Sequence, residues 1–139
     1  MQRVQVWGSG SFENEAAVIW VESLEDADDL ELVEETLERV LDSEERGEVP
    51  DPASSAQAIA AAETVAALRQ APANELPEEV RQWCIDNPGF DLAEAHPKAI
   101  HALAVILQQS GLREWAETQG VLDDWEQEVE ELRDRLRLE

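Results

Sequence analysis

From Asn14 to the end of the chain, apolar residues recur at spacings of three and four, and only Val4 and Val6 hint at the alternation of a strand. A period near 3.6 buries one stripe of each helix, so the pattern predicts an all-α fold, a compact bundle of six to seven helices. The first helix is expected from Asn14, whose side chain can accept an orphan N–H of the first turn, with Ala17, Trp20 and Leu24 on one face. The second is expected from Asp28 as cap, with Glu31 three residues on, and lines up Leu30, Val33, Leu37, Val40 and Leu41.

A polar loop over residues 44–52 closes with Asp51-Pro52, a cap followed by a proline suited to the first helical position, and predicts a long helix to about Gln70. Its alanines, at 53, 56, 58, 60, 61, 62, 66 and 67, leave it apolar on several sides, as expected of a central helix against which the others pack closely. Pro72 and Pro77 bracket a connector, and Pro77 opens a short helix with Val80, Trp83 and Cys84 that ends at Asn87-Pro88-Gly89. Pro97 is expected to start the next helix, striped by Ile100, Leu103, Ala104 and Leu107 until Gly111. A brief turn carrying Leu112 and Trp115 then leads to Gly120. The last helix repeats Leu122, Trp125, Val129, Leu132 and Leu136, a seam that could pack on the bundle or pair with a second copy.

The opening carries a different signal. In Trp7-Gly8-Ser9-Gly10-Ser11-Phe12-Glu13-Asn14, two glycines between two aromatics are followed at once by helix-start chemistry. Gly8 and Gly10 can reach positive φ, so the backbone can fold back while Trp7 and Phe12 point inward. A phosphate loop would need a Gly-Lys-Ser/Thr ending, and no Lys is present in the segment. The expectation is one domain over residues 1–139, with an aromatic-glycine hook over 1–13 and helices over 14–139. Its structural signature is Trp7, Gly8, Gly10, Phe12, Asn14, Trp20 and Glu63.

The stretch WGSGSFENEAAVIW, the AIAAAETVAAL of residues 58–68, and SGLREWAE followed by VLDDWEQEVEELRDRL together resemble the bacterial family known as domain of unknown function 4259. The likeness spans nearly the whole chain. It implies a compact bacterial helical domain and supplies no activity. Members of that family usually carry an acidic residue just before the second Trp of the first block, where this chain has Ile19.

Charge narrows the function classes. With 33 Asp and Glu against 10 Lys and Arg, the formal charge is -23, which opposes nucleic-acid backbones and anionic membranes. Any charged partner should be a basic protein. The acid is densest from Glu22 to Asp51, with 14 acids and two bases, and offers a candidate binding face at Glu31, Glu34, Glu35, Glu38 and Asp42. The alternative is a solvated surface, an adaptation to solubility or high salt. A lone cysteine, Cys84, excludes an internal disulfide and reads as a buried small hydrophobe. No secretion signal and no membrane-length apolar run is visible, so the cytoplasm is expected.

Candidate chemistry centres on Glu63, an acid among the alanines of the central helix. If buried, it must be hydrogen-bonded, neutralised or paired. It could pin the aromatic-glycine turn, or act as the base or ligand of a metal-dependent or carboxylate-based hydrolase. The nearest approach to a metal motif is Glu94 with His96 and His101, but a spacing of five puts the two histidines on different helix faces and Pro97 intervenes. No metal or cofactor is implied, His96 is expected exposed, and no serine lies in a nucleophile elbow. Trp20, Trp83, Trp115 and Trp125 fall on apolar stripes, as core residues do. The reading is a non-enzymatic interaction or regulatory module for a basic protein partner, monomer or homodimer. The alternatives are the hydrolase and a structural homodimer through the last helix.

Overall fold

A computed structural model describes residues 10–138. Trp7 and Gly8 of the hook, with Val4 and Val6, lie outside the described residues. Seven helices follow in order: α1 Glu15–Glu25, α2 Glu31–Glu45, α3 Pro52–Leu68, α4 Glu78–Asp86, α5 Ala95–Gln108, α6 Gly111–Gln119 and α7 Leu122–Arg137. No strand occurs among the described residues. The all-α bundle expected from the 3.6 period is what forms.

The alanines decide the architecture. Helix α3 packs against each of the other six helices, and its residues from Ala58 to Ala67 are all buried. Small side chains let six neighbours approach one rod, and a larger residue at Ala60 or Ala61 would cost about 1–3 kcal/mol in forced displacement. One hydrophobic cluster gathers residues of all seven helices, including Leu24, Leu37, Val80, Leu103, Ala116 and Leu132.

Local chemistry sets the helix ends. Asn14 Oδ1 accepts the Ala17 N–H at 2.8 Å, and Asp51 Oδ1 accepts that of Ser54 at 2.7 Å, with Pro52 opening α3. Helix α2 departs from expectation: Asp28 caps nothing, and Asp29 Oδ1 instead accepts the Glu31 N–H at 3.0 Å. Helix α3 stops at Leu68, two residues short of Gln70, because Gln70 adopts φ 68°. The Ala71 N–H then reaches back to the Ala66 carbonyl and the Gln70 N–H to that of Ala67, a Schellman ending that uses the helix's orphan acceptors.

Two further expectations are corrected. Helix α5 begins at Ala95, so Pro97 sits in its first turn, where a missing N–H removes no helical bond. The supposed turn around Leu112 and Trp115 is helix α6, capped by Ser110 and ended by Gly120 at φ 73°. Gly111 opens this helix rather than closing the previous one. Its N–H donates to the Pro50 carbonyl at 2.8 Å, and a Cβ there would lie 2.5 Å from Pro52 Cδ, so only glycine lets the starts of α3 and α6 touch.

The α7 seam turns inward. Trp125, Val129, Leu132 and Leu136 are at most 2% exposed, against α3, α5 and α6. These four residues of the seam thus pack in the chain's own core, and Leu122 at its start is half-buried.

Candidate functional site

Ser11, Glu63 and Arg135 come together from three distant parts of the chain. Glu63, 3% exposed on α3, accepts a hydrogen bond from Ser11 Oγ at 2.6 Å through one oxygen and from Arg135 Nη2 at 3.0 Å through the other. Arg135 also donates from Nε to Glu131 Oε1 at 2.7 Å and from Nη1 to the Ala71 carbonyl at 2.9 Å. Burial opposes the guanidinium's charge, but its bonds to Glu131 and Glu63 and their negative charge outweigh this and raise its pKa. One arginine thus ties the middle of α3, its C-terminal turn and α7 together.

The described part of the hook is fitted to this anchor. Gly10 donates its N–H to Glu13 Oε1 at 2.9 Å and its carbonyl accepts the Glu13 N–H at 3.1 Å, closing a turn that aims Ser11 at Glu63. A Cβ at Gly10 would push the Glu13 carboxylate off the Gly10 N–H that it accepts. Phe12 packs against the core from its rim. Trp20, 2% exposed, donates from Nε1 to Thr36 Oγ1 at 2.8 Å and locks α1 to α2.

Beside the anchor opens a cleft of about 500 Å³, lined by Ser11, Phe12, Asn74 and Gln127 and by the carboxylates of Glu13, Glu75, Glu128 and Glu131. Partial burial, then the charges of Glu131, Glu63, Glu75 and Glu13, raise the pKa of Glu128. Among the described residues, Arg135 is the cation that lines this cleft. A general base needs a carboxylate oxygen free to face a substrate proton. Glu63 instead commits each oxygen to a protein donor, the geometry of an anchor.

The α2 face divides into two. Glu34 and Glu38 are half-buried and pair with Lys98 of α5, Glu38 at 2.9 Å and Glu34 at 3.9 Å, which raises the lysine's pKa chiefly through the Glu38 hydrogen bond. Glu31, Glu35 and Asp42 are exposed and form no ion pair among the described residues. Arg39, on the same helix, reaches instead to Gln57 of α3.

The histidines do not converge. His96 is half-buried rather than exposed, its Nε2 against the Leu136 carbonyl, and His101 lies exposed with Nε2 2.9 Å from Glu44 Oε1. Among the described residues no three His, Cys, Asp or Glu side chains gather in a metal-holding arrangement. Cys84 is half-buried, and burial pushes its thiol up to about 11. No helix among the described residues is long and apolar enough to cross a membrane.

Sequence reasoning singled out Glu63 and a tie to the opening turn but named neither Ser11 nor Arg135 as its partner. The available signal was the Glu131-to-Arg135 spacing of four, which puts both on one face of the last helix. That signal is common to surface helices and does not say which core acid the arginine meets.

The profile of the DUF4259 family, a domain of unknown function, matches residues 5–128. The chain belongs to this family. No curated protein and no solved structure matches it. The matched span of this DUF4259 chain takes in residues 5–13 of the hook, Glu63 and all of α1 to α6, and ends within α7, before Arg135.

Proposed function

We propose that this DUF4259 chain is a non-enzymatic interaction module that recognises a basic protein partner through the outer row of α2. The observation that carries the reading is how charge is distributed. Arg46, Arg81, Lys98, Arg113 and Arg135 each lie within ion-pair distance of the chain's own glutamates, while Glu31, Glu35 and Asp42 stand in water along one helix stripe. Such a row offers long-range attraction to a cationic surface and speeds encounter more than it adds final affinity. The engagement of both Glu63 oxygens supports a scaffold role for that acid within the same reading. The single, half-buried thiol fits a reducing compartment, the cytoplasm.

The test is capture from a native cell extract with wild-type protein and with the Glu31→Gln/Glu35→Gln/Asp42→Asn variant, each at low and high salt. The reading expects a basic protein held by the wild type at low salt, lost at high salt and lost with the variant. Capture indifferent to those three substitutions, or no captured protein, overturns it.

A further inference from the structure

A second cleft, of about 480 Å³, opens between the end of α3, the connector after it, α4 and the loop that follows α4. Leu68, Leu76, Ile85, Phe90 and Leu92 form its apolar side, and Ile85 is 62% exposed. Phe90 stacks on the buried Trp83 with centroids 5.8 Å apart, which backs that wall with a fixed ring. Two left-handed residues, Gln70 at φ 68° and Gly89 at φ 86°, shape its rim. The volume is that of a small-molecule site.

Its charge sets it apart from the rest of the surface. In a chain of net charge -23, the one charged side chain among the described residues that lines this cleft is a cation, Arg81. Arg81 is loosely held. Its nearest carboxylate, Glu78, stands 3.7 Å away with side chains 44% and 77% exposed, whereas Arg113 and Arg135 make carboxylate hydrogen bonds of 2.7–3.0 Å. A guanidinium held this loosely keeps its fork of donors available to a planar anion.

We propose that this cleft binds a small amphiphile with a carboxylate head, its apolar body between Leu76, Ile85 and Phe90 and its head on Arg81. The site is independent of the acidic row on α2 and goes beyond the basic-partner reading. A neutral amphiphile would bury the same body without the charged hydrogen bonds, and a cationic one would meet Arg81 unfavourably.

Cys84 lies in the cleft wall and is the chain's one cysteine, so its alkylation reports occupancy of this cleft alone. The experiment measures the rate of Cys84 alkylation by a maleimide in the presence of octanoate, octanol or octyltrimethylammonium, with heats of binding recorded in parallel. Octanoate should protect saturably, octanol about tenfold more weakly, as loss of a charge-assisted bond requires, and the cation least. Arg81→Gln, on the exposed side of α4, should bring octanoate down to the level of octanol and leave octanol unchanged. No saturable protection by octanoate, equal protection by all three, or full octanoate protection in Arg81→Gln overturns the proposal. The head-group series on the wild-type protein decides it even where the variant fails to fold.

Discussion

Glu63 and Arg135 meet at 3.0 Å across 72 residues of chain, with side chains only 5% and 14% exposed. A pair so withdrawn from water is costly to break on one side, because the remaining charge stays behind unpaired. Arg135→Met is therefore expected to cost about 3 kcal/mol in urea unfolding. Glu63→Gln/Arg135→Met should recover more than about 1 kcal/mol of that, the coupling expected of directly touching groups. Strict additivity of the two single variants would show that the pair contributes no coupling.

Ser11 joins the hook to the same acid. Ser11→Ala removes the 2.6 Å bond to Glu63 and is expected to cost about 1–2 kcal/mol, as charged acceptors do. The loss should be local first. Amide exchange at Glu13, whose N–H bonds to the Gly10 carbonyl, should quicken before exchange in α3 does. Equal protection of Glu13 in both proteins would show that the hook holds without Ser11.

Much of the fold was legible along the chain, and the reason is locality. Asn14 and Asp51 each cap the helix expected of them, since a cap needs only an acceptor three residues before an orphan N–H. The alanines of α3 announced a central rod because small faces on several sides suit close approach by several neighbours. Asp28 and Asp29 are both capping residues in sequence, and only the path of the chain into α2 selects Asp29. Gly111 reads as a helix end until Pro52 is seen against it, a contact 59 residues distant that no local rule contains. For the same reason the candidate site was half visible: a lone acid among alanines marks itself, whereas Arg135 and Lys98 become partners only when α7 and α5 dock.

Glu128 gives a dependence on pH. Its folded-state pKa lies above the ordinary carboxylate value, from burial first and then from Glu131, Glu63, Glu75 and Glu13. A raised carboxylate pKa means the folded state favours the protonated form, so this group's contribution is present in acid and is lost as pH rises through the raised value. Glu128→Gln should therefore leave stability unchanged well below the carboxylate range and raise it at neutral pH. Thermal melts of both proteins across that range check the sign, and a variant less stable at neutral pH would reverse it.

Gln70 holds a left-handed conformation at φ 68° in the Schellman ending of α3, where glycine carries no Cβ penalty. Gln70→Gly is expected to raise unfolding free energy by about 0.5–1 kcal/mol. A loss of stability in chemical denaturation would mean that the Gln70 side chain contributes more than its backbone strain removes.

The central claim is that the exposed carboxylates of Glu31, Glu35 and Asp42 are what a basic partner meets. The most direct measurement is the association rate of the captured partner with wild-type protein and with Glu31→Gln/Glu35→Gln/Asp42→Asn over a series of salt concentrations. The account predicts a steep fall of the wild-type rate with salt and a slower, flatter dependence for the variant. Superimposable rates and slopes for the two proteins would contradict it.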